Sequence, residues 1–211
     1  PLEEAALAGC AGSTMAHAVE IGRVSEGDVV VVQGGGGLGL FGIAFALANG
    51  ARKVISIPGR REMRLKLAER FGAEVIDMNV LSDVNERVKA VKDLTPKGYG
   101  ADVIFECTGN PNAVLEGIRM LRRGGRYVVV GQSPEIGEIP FSPSVITRNQ
   151  LILHGSWAGT GKHLYKAVKL IESRKYPFNE MITHRFDLEK ATEALKTAEK
   201  DRKAVKVIIK H

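Results

Sequence analysis

From Asp28 onward the chain alternates between two textures. Short apolar runs rich in β-branched residues occur at 29–32, 53–57, 74–77, 103–106, 126–130 and 151–154. Between them lie longer stretches, 38–49, 61–71, 84–94, 112–121 and 163–173, with apolar residues at helical spacing. Strands that read as continuous apolar runs and are joined by helices predict a parallel sheet covered on both faces. Six of them predict an α/β, doubly wound arrangement. Gly50, Gly72 and Gly124–Gly125 fall where a helix gives way to a strand and are expected to cap helices. Asn110–Pro111 reads as a helix opener, since proline suits a first turn. Residues 2–24 are rich in Ala and Gly and predict helix around a small-residue turn at 9–13. After Tyr176–Pro177 the pattern changes to a strand (181–186), a helix (188–199) and a last strand (204–210), which reads as a different structural body.

Composition changes this picture little. The 211 residues are 44% hydrophobic and 26% charged, ordinary for a globular protein. The formal charge of +6 admits an acidic partner such as nucleic acid or a phosphorylated cofactor, but solubilising lysines on helix surfaces are the favoured account of it. Cys10 and Cys107 are the only cysteines, which excludes a disulfide framework and makes a reducing cytoplasm the expected location. The longest apolar run, 38–48, is broken by Gly42 and too short for a membrane span, and no signal-peptide pattern opens the chain. The chain starts at Pro1 in what reads as the middle of an element, so a fragment is expected. His17, His154 and His184 have no metal-ligand spacing and are read as structural.

The segment from Val29 to Gly39, V-V-V-V-Q-G-G-G-G-L-G, carries the chemistry. It holds G-x-G-x-x-G at Gly34, Gly36 and Gly39, directly after a strand and opening a helix. Gly34 allows a tight turn, Gly36 lets backbone approach a diphosphate without a Cβ, and Gly39 lets helix pack on sheet. With Gly37 and Leu38, this loop would put the phosphates on free N–H groups at the positive end of the helix. A Rossmann dinucleotide site follows. The usual acidic residue at the end of the second strand is missing: Ile57 runs into Pro58-Gly59-Arg60-Arg61. Without that carboxylate, and with Arg60 or Arg61 available to pair with a 2′-phosphate, NADP is favoured over NAD.

Along nearly its whole length the chain resembles the C-terminal two-thirds of a zinc-containing alcohol dehydrogenase of the medium-chain dehydrogenase/reductase superfamily. The resemblance rests on an ordered set: Ala8-Gly9-Cys10-Ala11-Gly12-Ser13-Thr14, the glycine loop, Phe71-Gly72-Ala73, Glu106-Cys107-Thr108-Gly109, Gly124-Gly125-Arg126, Val130-Gly131, 182–186 and 203–207. It implies a six-stranded Rossmann domain at 25–176, flanked by segments of a partial catalytic domain at 1–24 and 177–211. It further implies hydride transfer between NAD(P) and a small alcohol or carbonyl, zinc-assisted in the intact enzyme, in a homo-oligomer. Cys10 matches one of the family's zinc ligands; the others belong to an N-terminal domain not present in these residues, so the fragment itself is expected to lack the metal and to be inactive. Thr14 matches a position near the nicotinamide, Thr108, Val130 and Ser156 match positions lining the ribose and carboxamide, and Lys206 matches a basic position near the diphosphate.

Three other readings compete. Tyr165 and Lys169 form Y-x-x-x-K, the acid–base spacing of short-chain dehydrogenases, but on a helix whose apolar residues Leu164, Val168, Leu170 and Ile171 make them ordinary surface. A zinc-free, NADPH-dependent quinone reductase would share the fold, with Cys10 against it. A non-catalytic nucleotide-binding module remains open for the fragment, whereas nothing resembling a recognition helix or aromatic platform supports nucleic-acid binding.

Overall fold

The computed structural model describes residues 2–132 and 137–210. Its main body is a six-stranded parallel sheet in the order β3-β2-β1-β4-β5-β6. The strands are β1 (Val29–Gln33), β2 (Lys53–Ile57), β3 (Glu74–Val75), β4 (Ala101–Glu106), β5 (Leu121–Val129) and β6 (Ile152–Gly155). β1 lies at the centre, its Val30 level with Val54 on one side and Val103 on the other. This order is the doubly wound Rossmann arrangement, in which the connections leave in opposite directions from β1 and β4 and open a crevice between their carboxyl ends. The linking helices are α3 (Gly37–Ala48), α4 (Glu62–Arg70), α5 (Val84–Asp93), α6 (Pro111–Met120) and α7 (Ser144–Asn149).

Strand periodicity explains how both faces are covered. Val30 and Val32 project into one apolar cluster with Leu40, Phe41, Ile43 and Ala44 of α3. Val29 and Val31 project into another, with Val88 and Val91 of α5 and Ile118 of α6. The first cluster also takes in the N-terminal segment, α1 (Leu2–Leu7) and α2 (Ser13–Ile21), and α8 (Gly161–Glu172).

Several local readings are corrected. Gly124–Gly125 do not cap α6, which ends at Met120 and passes directly into extended Leu121. They lie inside β5, where the pairing jumps from Ala101–Leu121 to Val103–Arg126, so the extra residues form an irregularity on the strand. β3 is two residues rather than four, because Ile55 and Ser56 pair with Glu74 and Val75 alone. The small-residue turn at 9–13 is a turn of π-helix, Ala8–Gly12, within otherwise continuous helix. A Cβ on Gly12 would lie 2.8 Å from Ala167 Cβ and 3.2 Å from the Phe41 ring, so α3 and α8 require small residues there. In α8, Leu164 is exposed and Ala167 takes its place in the buried stripe.

The tail does form its own sheet, β7 (Ile182–Asp187) paired in parallel with β8 (Lys206–Lys210), with α9 (Ala191–Lys200) between them. It is not separate in its packing: Phe178, Met181 and Ile182 are buried in the α3-side cluster. Among the described residues no helix is long and apolar enough to cross a membrane.

Candidate functional site

The crevice at the carboxyl ends of β1, β2 and β4 holds a cleft of about 490 Å³. Gly34, Gly35 and Gly36 form one wall, Ile57, Pro58 and Gly59 another, and Cys107, Thr108 and Asn110 a third. Two other concavities are larger, but neither is lined by the glycine loop.

Each loop glycine has a distinct environment. Gly34 has φ of +107°, and its N–H donates to the Ile57 carbonyl at 2.9 Å, turning the chain sharply off β1. A Cβ on Gly39 would fall 1.8 Å from the Gly34 carbonyl oxygen, so the start of α3 lies directly on the loop. Gly35, not singled out in the sequence, is as constrained: a Cβ there would meet Pro58 Cβ at 2.4 Å. Gly36 differs, since a Cβ on it would meet nothing within 4 Å. It stands before α3 with no side chain capping the helix, and the first intrahelical bond runs from Leu40 N–H to the Gly36 carbonyl at 3.0 Å. The amides of Gly37, Leu38 and Gly39 precede that bond and lack helical partners, which makes the opening of α3 suited to an anion.

Beside the loop, Arg64 of α4 lines the cleft, and its Nε is buried with no hydrogen-bond partner among the described residues. Burial, and secondarily the charge of Arg61, hold this guanidinium below its usual range. The basic side chain in the wall is thus Arg64, while Arg60 and Arg61 line an adjoining groove. Arg60 donates from Nη1 to the Met78 carbonyl at 2.6 Å. Arg64 lay outside the sequence reading because it is one of several basic residues on a polar helix, and only the packing of α4 on Pro58 and Gly35 selects it.

Buried charges shape the remaining walls. Glu106, 1% exposed, ends β4. Its Oε1 accepts from the N–H groups of Thr108 (2.6 Å) and Gly109 (2.9 Å) and from the Thr108 hydroxyl. Thr108 is thereby fixed at the cleft rim. Arg87 and Glu116 form a buried bidentate pair in the wall, Nε to Oε1 at 2.7 Å and Nη2 to Oε2 at 3.1 Å. Arg87 Nη1 also donates to the carbonyls of Leu81 (2.9 Å) and Ser82 (2.7 Å). The Cys107 thiol lies 3.8 Å from Met15 Sδ, and desolvation by its surroundings pushes its pKa well above the usual thiol range.

The other sequence-selected residues are more dispersed. Val130 and Ser156 directly follow β5 and β6, at the same edge of the sheet as the glycine loop. The Ser156 hydroxyl is buried and unpartnered among the described residues. Thr14 lies in the first turn of α2, half-buried. Cys10 is exposed on the π-turn. That turn approaches the loop, since a Cβ on Gly37 would lie 3.3 Å from Ala11 Cβ. Lys206 opens β8 and does not line the cleft. Tyr165 is exposed on α8, and Lys169 pairs with Glu172 at 2.8 Å, both away from the cleft.

A dinucleotide fits the donor set of the cleft: an uncapped helix start, an open backbone at Gly36 and an orphaned guanidinium nitrogen. Among the described residues no three His, Cys, Asp or Glu side chains come together as ligands, so these residues do not by themselves make a zinc site.

Residues 37–173 match a family model described as zinc-binding dehydrogenase. The chain is 36% identical over 192 residues to an erythritol/L-threitol dehydrogenase of Mycolicibacterium smegmatis, covering 90% of this chain and 51% of that protein. It is 33% identical over 196 residues to 5-exo-hydroxycamphor dehydrogenase of Pseudomonas putida, covering 92% and 54%. An alcohol dehydrogenase structure from Thermotoga maritima superposes with a TM-score of 0.92 at 38% identity, covering 99% of this chain and 57% of that one. A Sinorhizobium meliloti 1021 structure assigned as a zinc-binding dehydrogenase and bound to NADP superposes at 0.79 with 25% identity, covering 93% and 56%. The chain thus spans about half the length of the curated relatives it matches. The family-model match begins at Gly37, where α3 opens, and runs through β2 to β6; this chain belongs to the zinc-binding dehydrogenase family.

Proposed function

We propose that this chain is the cofactor-holding part of an oxidoreductase that moves a hydride between NAD(P), with NADP favoured, and a small alcohol or carbonyl compound. The observation that carries the reading is the opening of α3: three amides without helical partners, an open Gly36, and Arg64 with a buried, unpartnered Nε beside them. A diphosphate against Gly36 would accept from the amides of Gly37, Leu38 and Gly39 and pair with Arg64 through charge-assisted bonds. Ile57, Met78 and Val84, which line the same cleft, offer apolar surface to an adenine ring. Arg60 and Arg61 are the residues proposed to meet a 2′-phosphate, and the absence of a carboxylate at Pro58 removes the repulsion against one.

When bound, the dinucleotide would supply the hydride chemistry, and the protein's part would be to orient it and exclude water. Toward the nicotinamide end, Thr14, Thr108, Val130 and Ser156 are the proposed contacts; the unpartnered Ser156 hydroxyl offers a buried donor and acceptor there. Lys206 is proposed to act as a long-range cation toward the phosphates. Cys10 is proposed as one thiolate of a metal site whose other ligands are not found among the described residues.

Calorimetric titration of the 211-residue chain with NADP and NAD separately tests this reading. Tighter binding of NADP, weakened in Arg60→Ala, is expected. Equal affinities or tighter NAD would remove the NADP preference, and failure to bind either would remove the dinucleotide reading itself.

A further inference from the structure

A second concavity, about 730 Å³, lies between the start of α4 and the turn joining α9 to β8. Two basic pairs far apart in sequence, Arg60–Arg61 and Arg202–Lys203, converge on it, together with Lys66. Its carboxylates do not balance them. Glu62 is held by Lys66 at 2.6 Å, and Asp77 Oδ1 accepts from the Asn79 N–H (2.7 Å) and Asn79 Nδ2 (2.8 Å). Arg61, Arg202 and Lys203 form no ion pair among the described residues, although the protein pairs most cations near its other concavities, including Lys162, Lys166, Lys169 and Arg87. Unpaired like charges gathered in one recess raise its positive potential and favour an anion there.

The groove adjoins the dinucleotide cleft. Gly59 lines the cleft and Arg60, the next residue, lines the groove. A Cβ on Gly59, at the boundary between them, would meet nothing within 4 Å. Arg60 is anchored through Nη1 by its bond to the Met78 carbonyl, which holds this turn in place with the rest of its guanidinium, Arg61 and the tail residues around the groove.

We propose that this groove is a phosphate-monoester site, and that Arg202 and Lys203 of the tail, with Arg61, receive the 2′-phosphate of the dinucleotide held in the cleft. This rests on the dinucleotide reading and extends it: cofactor choice is divided between the turn after β2 and a turn some 140 residues later in the chain. A dianionic phosphate would convert their mutual repulsion into charge-assisted hydrogen bonds, while NAD, with a neutral 2′-hydroxyl, would gain little from them.

The test measures Kd for NADP and for NAD in the unaltered chain and in Arg202→Ala/Lys203→Ala, with Lys203→Gln as a milder single variant. Both positions are exposed, and unchanged melting temperatures verify folding. One lost charged hydrogen bond is worth roughly a factor of ten. The double variant is therefore expected to raise the NADP Kd at least about tenfold and the NAD Kd less than about twofold, with a shallower salt dependence for NADP. Equal losses for the two cofactors, or none for NADP, would overturn the proposal while leaving the dinucleotide reading intact. Failure of the unaltered chain to bind either cofactor would remove both. Inorganic phosphate supplies the last arm. Displacement of phosphate by NADP supports a shared site, whereas phosphate held alongside bound NADP would mark the groove as a free-phosphate site and overturn the assignment to the cofactor.

Discussion

At the scale of single residues, the glycines of the loop separate into those the fold requires and one that only a ligand would require. Gly39 lies where a Cβ would sit 1.8 Å from the Gly34 carbonyl oxygen, a contact that only displacement of the loop from α3 can relieve. Gly39→Ala is expected to lower unfolding stability by at least about 3 kcal/mol, the upper end for overpacking. At Gly36 the space around a Cβ is empty and φ is −81°, open to any residue. Gly36→Val is therefore expected to melt within a few degrees of the unaltered chain while losing dinucleotide affinity at least about tenfold, because the side chain occupies the volume a diphosphate would take. Chemical denaturation and calorimetric titration of the two variants, run together, check this. A Gly36→Val chain that binds NADP normally would mean that the phosphates rest elsewhere.

At the scale of elements, α5 and α6 are joined by the Arg87–Glu116 pair, whose side chains are 4% and 11% exposed. Glu116→Gln removes the charge and leaves a buried guanidinium without its counter-ion, so a loss of about 3–5 kcal/mol is expected. The double variant Arg87→Met/Glu116→Leu, which buries no charge, should recover most of it; a urea-denaturation cycle over the unaltered chain, Arg87→Met, Glu116→Leu and the double variant measures the coupling. This pair also marks where reading the sequence stops. The strands and most helices were legible because their apolar periods are local, and Gly34, Gly36 and Gly39 because the strand–loop–helix unit is contiguous. Arg87, Glu106 and Arg64 were not, since each looks like an ordinary surface residue until tertiary packing buries it. Gly124–Gly125 were misread for a related reason: glycine signals a break in regular structure, but whether the break caps a helix or bulges a strand is decided by the neighbouring strand β4.

At the scale of the whole molecule, the question is whether the tail moves as its own body. The texture change after Pro177 suggests that it does, and the separate β7–β8 sheet agrees. The aromatic packing argues otherwise. Phe178, 1% exposed, has its ring centroid 4.6 Å from that of Phe41 on α3 and 5.2 Å from that of Phe71, meeting the latter edge-on. A Rossmann-side helix and the tail therefore share one aromatic core, and opening their junction would expose it to water. Phe178→Ala is expected to cost about 3–5 kcal/mol, as for other fully buried phenylalanines, and to lower the melting point of the entire chain in a single transition. Coincident loss of far-ultraviolet circular dichroism and of the Trp157 fluorescence signal, with calorimetric and van't Hoff enthalpies in agreement, would be the signature of one cooperative unit. Two resolved transitions in the unaltered chain would show the tail to be independent. That outcome would also weaken the assignment of Arg202 and Lys203 to the cofactor, because cations on a freely moving tail cannot be held at a fixed distance from the cleft.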